Sequence, residues 1–181
     1  MENVAEHYSR LCERCEALSV ALTPAVLWVD LSAQRMELLL DGHSEQTFTI
    51  SSSRRPPSCI ENSLGTPLGL HRIAQKIGAD AAPGTVFKGR VSQGHTWPKL
   101  TPGQIADNLI TSRILWLEGL QEGYNRGPGR DTFSRYIYIH GTNQFSRLGQ
   151  PNSHGCLLLS DGDVIDLFKR VESGTLVWIE A

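Results

Sequence analysis

Apolar and polar residues follow one another along this chain with two different periods. At Val4, Tyr8, Leu11, Cys15, Leu18 and Leu22 the apolar positions fall three or four apart, which predicts an amphipathic helix packed on the outside of the main domain and ended by Thr23-Pro24. Beyond Pro24 the stretches shorten. Ala25 to Leu31 and Arg35 to Leu40 read as strands, Asp41-Gly42 as a turn, and Glu45 to Ile50 as a third strand. Leu70 to Ile77, Val86 to Lys88 and Ile110 to Leu117 add three more strands, and the remainder of Gly78 to Leu100 reads as irregular connections. Thr101-Pro102-Gly103-Gln104 resembles an N-cap with proline in the first turn, so a short helix ending near Leu109 is expected there. Near the C-terminus Ser160-Asp161-Gly162-Asp163 opens a helix with a buried stripe of Val164, Leu167, Phe168 and Val171. Gly174 ends it, and Thr175 to Ile179 forms a closing strand. Several short strands divided by turns, with a helix near each end, predict a mainly β fold with flanking helices.

Length and charge narrow the reading further. A chain of 181 residues suits one domain, read here as an N-terminal helical extension over 1–23 and a main domain over 24–181. The net charge of -2 argues against a nucleic-acid footprint and offers nothing to a membrane surface. The N-terminal stretch alternates charged and apolar residues and has no run suited to a secretory signal, and no stretch approaches the ~20 apolar residues of a membrane span. The expected compartment is therefore the cytoplasm. Of the four cysteines, Cys12 and Cys15 form a C-x-x-C without a second pair or a βαβ context, and all four thiols are expected to be free in a reducing compartment.

The chemistry concentrates in Arg135 to Ser160. Tyr136 to Ile139 are all β-branched or aromatic, and alternation places Ile137 and Ile139 on one face, with Tyr136, Tyr138 and His140 on the other. A surface loop from Gly141 to Asn152 then leads to Ser153-His154-Gly155-Cys156. A histidine and a cysteine apart in sequence but able to meet in space are the minimum equipment of a thiol nucleophile. Cys156 is the candidate nucleophile, with His140 taking its proton or holding the thiolate as an ion pair. The amides of Gly155 and Cys156 are the candidate oxyanion donors. Two competing readings are a cysteine that is only a small buried hydrophobe and a metal site built from His140, His154 and Cys156; no carboxylate stands at metal spacing to complete the latter. Elsewhere, His71 reads as a structural histidine, and His95 and Trp97 as either a cavity mouth or an exposed aromatic turn. Tyr124 to Arg130 reads as a loop able to act as a lid, and Arg54-Arg55 as a solvated turn or a carboxylate-recognising pair.

Ile-His-Gly-Thr-Asn at 139–143 followed by Ser-His-Gly-Cys at 153–156 resembles the paired signature of the YkuD-like L,D-transpeptidase catalytic domain family. Gly65-Thr66-Pro67-Leu68-Gly69 resembles that family's Thr-Pro-x-Gly turn, so the similarity runs from about Pro24 to the C-terminus. The resemblance implies a YkuD-like β-sandwich, cysteine chemistry on peptidoglycan stem peptides, and a Gly141 carbonyl that fixes the tautomer of His140. It also implies Ser153, His154 and Tyr138 as residues shaping the substrate pocket. The family usually carries Arg or Asn two residues after the cysteine; here that position is Leu158, and Arg147 on the loop is the candidate for the substrate carboxylate in its place. With a cytoplasmic address, the resemblance points to an L,D-carboxypeptidase that removes the terminal D-alanine from murein tetrapeptides. The alternatives are an L,D-transpeptidase and a non-catalytic muropeptide-binding module. No cofactor and no metal is implied, the expected partner is a small muropeptide, and the oligomeric state stays open.

Overall fold

The computed structural model describes residues 4–101 and 108–181. The helix expected to start at Thr101 to Gln104 falls on 102–107, outside the described residues. Among the described residues, the α-helices α1 (Val4–Ala17) and α2 (Asp161–Arg170) flank the strands β1 (Ala25–Asp30), β2 (Arg35–Leu40), β3 (His43–Thr49), β4 (Gly69–Ile77), β5 (Thr85–Lys88), β6 (Val91–Thr96), β7 (Ile110–Gly119), β8 (Tyr138–Gly141), β9 (Leu157–Leu159) and β10 (Leu176–Glu180). The strands join into one connected sheet in the order β3-β2-β1-β10-β4-β7-β5-β6, with β8 paired to β7 and β9 paired to β8. A mainly β domain with one helix before the strands and one after the cysteine loop is what the sequence predicts.

Period-2 alternation divides the central strands between the two faces of the sheet. Leu27, Val29, Met36, Leu38, Ile73, Leu115, Leu117, Ile139, Leu157 and Leu159 point to one side, where α2 covers them with Val164, Leu167 and Phe168. Val26, Trp28, Leu39, Leu70, Leu176 and Trp178 point to the other, where α1 covers them with Leu11 and Cys15. The sheet is thus buried on both faces where β1, β10 and β4 lie side by side. The helix α2 begins at Ser160, whose hydroxyl accepts the amide of Asp163 as an N-cap. Its contacts fall on β7 and β8, so it supports the strand that carries His140 from the core side.

Two elements differ from their expected form, and a third joins the sheet without a prior reading. The first helix stops at Ala17 rather than near Leu22, because Ser19 takes a left-handed conformation (φ 53°) and the amides of Leu18 and Val20 fold back onto the carbonyls of Arg14 and Cys15. That is a helix stop of the type glycine usually provides, made here by serine. The stretch after Lys88 is a strand, β6, paired to β5 through a two-residue turn at Gly89 and Arg90, both with positive φ (53° and 68°). Its polar, exposed residues give no apolar alternation to read. The three leucines after Cys156 form β9, parallel to β8, with Ile139 opposite Leu157, His140 opposite Leu158 and Gly141 opposite Leu159.

Candidate active site

The pairing of β8 with β9 decides where the two chemical side chains go. His140 stands opposite Leu158 on the face away from the α2 core, and Cys156, two residues before Leu158, lies on that same face. His140 and Cys156 are therefore placed on one face of two adjacent parallel strands, two residues out of register. Cys156 sits one step outside β9, where its Sγ accepts the Tyr138 amide at 3.4 Å and faces the Tyr136 carbonyl at 3.6 Å. The thiol is half-buried and packs beside Phe87, Ile114, Trp116 and Tyr138.

His140 is buried, and its Nδ1–H donates to its neighbour's carbonyl, Gly141 O, at 2.7 Å. This bond assigns the proton to Nδ1 and leaves the lone pair on Nε2, the form a base must have. Burial lowers the His140 pKa from 6.5 to about 4, against the opposing pull of the Gly141 carbonyl. Burial likewise pushes the Cys156 thiol up from 9.0 to about 11, although the Tyr138 amide and the Arg135 charge pull it down. At neutral pH both groups rest uncharged. Of the two states expected from the sequence, a base awaiting a proton matches these directions, and a standing thiolate–imidazolium pair does not.

The loop before the cysteine is built by Ser153. Its hydroxyl donates to the Cys156 carbonyl at 2.6 Å and accepts the Gly155 amide at 3.1 Å, and its own amide donates to Ser52 O. Ser153 is buried with its hydroxyl spent inside the loop, so it shapes the turn. The Gly155 amide is engaged by the same hydroxyl, which corrects its expected role: of the two backbone donors anticipated for an oxyanion, the Cys156 amide is the one that no hydrogen bond among the described residues occupies. Gly155 itself is required by shape. Its φ is +127°, and an added Cβ would stand 2.9 Å from Ile137 Cδ1. Gly65 O lies 3.4 Å from the same point, so the Thr-Pro-x-Gly stretch packs directly against the cysteine loop. Arg135 locks that stretch by donating to Ser58 O and Gly65 O at 3.0 and 2.8 Å.

The remaining candidates separate. His154 is exposed, approaches Arg54 Nη2 at 3.3 Å and, with Tyr136 and Ile137, borders a recess of about 240 Å³ that also touches Glu61 and Arg135. Tyr138 is buried with its hydroxyl taken by Arg90 at 3.0 Å. Arg147 lies exposed on a one-turn helix, Phe145–Arg147, and reaches Asn152 Oδ1 at 3.4 Å. Its carbonyl accepts the Ser51 hydroxyl, so the contacts of this residue tie the loop down and none of them reaches the thiol. Leu158 is buried and exchanges backbone hydrogen bonds with Ser51, placing an apolar side chain opposite His140. His71 is buried and satisfied by Gly69 O and Thr132 Oγ1, as a structural histidine. The 124–130 loop is pinned by the buried Asn125, which donates to Leu68 O and Leu70 O, so it is no lid.

Two residues near the site escape a reading by motif. Asp161, which the sequence offers only as an acidic helix start, accepts the hydroxyls of Thr111 (2.6 Å) and Ser112 and the Trp97 indole N–H (2.8 Å). Its Oδ1 also lies 2.9 Å from where a Cβ on Gly141 would stand. Arg90, at the tip of the β5–β6 hairpin, lies against Tyr136, Tyr138 and Trp116. A glycine beside a basic residue was the available signal for that turn, and the polar strand after it obscured it.

A profile of the YkuD family, the L,D-transpeptidase catalytic domain, matches residues 24–179. No curated protein sequence matches the chain significantly. An L,D-transpeptidase from Mycobacterium smegmatis shares the fold with a TM-score of 0.54 at 16% identity, over 87% of this chain and 59% of the other. A mutant of the Enterococcus faecium L,D-transpeptidase gives 0.52 at 19%, over 88% and 50%. An L,D-transpeptidase fragment from Xylanimonas cellulosilytica gives 0.52 at 17%, over 88% and 62%. This chain thus spans less than two thirds of each of those structures, and at these identities the likeness is one of fold.

Proposed function

The chain belongs to the YkuD family of L,D-transpeptidase catalytic domains, and from that premise we propose that it is a cysteine L,D-carboxypeptidase that removes the terminal D-alanine from peptidoglycan tetrapeptides. The observation that carries this reading is the Nδ1–H of His140 held on Gly141 O at 2.7 Å, with Cys156 on the same face of the adjacent strand. As Cys156 Sγ bonds to the carbonyl carbon before D-alanine, its proton passes to His140 Nε2. Attack and proton transfer proceed together, because neither group is charged beforehand. The carbonyl oxygen takes the negative charge, and the free Cys156 amide stabilises it; a donor of this kind is worth about 3 kcal/mol of barrier. Collapse breaks the C–N bond, and the proton returns from His140 to the departing amine. Water then attacks the thioester with His140 again as base, and the tripeptide leaves with a new carboxylate while the thiol is restored.

Water as the acceptor follows from the proposed compartment, in which soluble stem peptides and no polymeric wall are within reach. Four free thiols, including the Cys12 and Cys15 pair on one helix, suit a reducing compartment, and we place the enzyme in the cytoplasm acting on soluble stem peptides during murein recycling. No described helix is long and apolar enough to cross a membrane. The second reading, L,D-transpeptidation, is favoured by the family description itself. Incubation of the protein with a murein tetrapeptide, read by mass spectrometry, separates them. Loss of one D-alanine is the expected result; a cross-linked dimer or an exchanged D-amino acid establishes the transpeptidase instead, and an unchanged but bound peptide establishes a binding module. Fractionation of cells carrying the untagged protein tests the compartment.

A further inference from the structure

We propose that Arg90, at the tip of the β5–β6 hairpin, is the residue that grips the free carboxylate of the substrate's last residue, the role left open by Leu158. This rests on the carboxypeptidase reading above, in which the bond attacked by Cys156 lies one residue from a terminal carboxylate.

The placement follows from two tyrosines that touch both partners. Tyr136 faces the Cys156 thiol with its carbonyl oxygen, and its ring centre lies 4.9 Å from the Arg90 guanidinium carbon. Tyr138 donates its amide to Cys156 Sγ, and its hydroxyl accepts from Arg90 Nη1 at 3.0 Å. Trp116 completes the cage, with its ring centre 4.6 Å from the guanidinium carbon. On either path the length of a tyrosine side chain, from main-chain atom to ring, separates Arg90 from the nucleophile. A carboxylate one residue beyond the attacked carbonyl carbon sits roughly 3.5 Å further along the peptide, which shortens that gap if the peptide end points to the hairpin.

The backbone supports a functional placement. Arg90 (φ 68°) and Tyr136 (φ 57°) are both non-glycine residues in left-handed conformations, on separate elements, and the Arg90 guanidinium lies against the Tyr136 ring. Strained residues that cluster at one site mark it for function when the surrounding fold holds them there. The hairpin turn would accept Asn or Gly at this position at lower cost.

The guanidinium is also uncommitted. It carries five N–H donors, and among the described residues its hydrogen-bond acceptor is the neutral Tyr138 hydroxyl, with no carboxylate paired to it. Aromatic faces hold the planar group in place while its edge keeps the fork geometry that matches a carboxylate. Three other arginines are occupied, and Arg54, against His154 at 3.3 Å, is the remaining rival. Arg135 donates to Ser58, Ser63 and Gly65, and Arg113 to Ala81 and Ser112. Arg147 is turned to Asn152 on its own loop.

The test compares a murein tetrapeptide with a free C-terminal carboxylate against the same peptide as its C-terminal amide. Each is used to protect Cys156 from iodoacetamide, read by mass spectrometry of the Cys156 peptide, in the wild type, Arg90→Lys and Arg90→Ala. The wild type is expected to be protected by the acid at a concentration tenfold to a hundredfold lower than by the amide, on the order of one charge-assisted hydrogen-bonded pair. Arg90→Ala abolishes that preference, and Arg90→Lys keeps part of it. Alkylation without peptide stays equal in all three, which shows that the site is folded. Equal protection by acid and amide in the wild type, absence of protection by either, or an unchanged preference in Arg90→Ala overturns the assignment. D-alanine release, measured in parallel, reports separately on the reaction: protection by the acid without release refutes the carboxypeptidase and leaves the Arg90 contact standing, whereas release without acid preference does the reverse.

Discussion

His140 gives its Nδ1–H to the carbonyl of Gly141, the next residue in the chain, at 2.7 Å, and this fixes both the tautomer and the direction of the ring. With the imidazole pKa lowered to about 4 and the thiol raised to about 11 by burial, the free enzyme carries very little thiolate at neutral pH. Alkylation of Cys156 by iodoacetamide in the absence of peptide is therefore expected to rise steadily from pH 6 to pH 10 without levelling. A plateau reached by pH 7 would reveal a standing ion pair. Peptide mapping separates this signal from Cys12, Cys15 and Cys59.

Gly141 tolerates no side chain. An added Cβ would lie 2.7 Å from both the carbonyl and the hydroxyl oxygen of Thr111, and 2.9 Å from Asp161 Oδ1. Gly141→Ala is expected to shift the strand end that holds the imidazole and to lower activity at least a hundredfold. Asp161→Ala removes the acceptor for Thr111, Ser112 and Trp97 and leaves the two buried hydroxyls without it, for a stability loss on the order of 2–4 kcal/mol. Denaturant unfolding of each variant, with kcat measured alongside, checks both.

Two buried histidines set the acid limit of stability. His71 and His140 both have their pKa lowered from 6.5 to about 4 by burial, so the unfolded chain takes up protons that the folded one refuses as pH falls from 6.5 to 4. Stability is full above pH 6.5 and declines over that window by about 3 kcal/mol per histidine. Cys156 acts at the other end: with its folded pKa raised from 9.0 to about 11, stability declines as pH rises from 9 to 11. In His71→Gln, whatever its stability at pH 7.5, the decline between pH 6.5 and 4 should shrink by about half the histidine contribution. An unchanged slope would show that His71 titrates normally.

Glu180 holds α1 to the sheet. Its carboxylate meets His7 at 2.7 Å and Arg10 at 2.6 Å, and accepts the indole N–H groups of Trp28 and Trp178 at 2.8 and 3.0 Å. Glu180→Ala is expected to cost about 2 kcal/mol and to raise hydrogen exchange in Val4–Ala17 while leaving kcat within a factor of two. The site lies on β8 and β9, away from this contact.

The parts of this fold that announce themselves in the sequence are those whose residue pattern and environment agree. Arg35 to Leu40 falls on its strand as expected, and Ser160 caps the helix whose stripe contains Val164, Leu167 and Phe168. The Ile137 and Ile139 alternation sends His140 to the side away from the α2 core. Where the pattern is silent, the structure is made by contacts distant in sequence. The β6 strand is solvent-facing and polar, and only its pairing with β5 defines it. Leu157 to Leu159 is an unbroken apolar run, which alternation cannot resolve into faces. At the site, the signature residues mark the nucleophile loop, but the duties inside it come from geometry: Ser153 consumes the Gly155 amide, and Arg90 approaches from a hairpin more than sixty residues before Cys156.

The most direct test of the account is intact-protein and peptide mass spectrometry of the wild type and Cys156→Ala after brief reaction with a murein tetrapeptide and acid quenching. The wild type is predicted to release free D-alanine and to carry the remaining tripeptide as a thioester on Cys156, with neither product formed by the variant. D-alanine release that persists in a folded Cys156→Ala protein would contradict it.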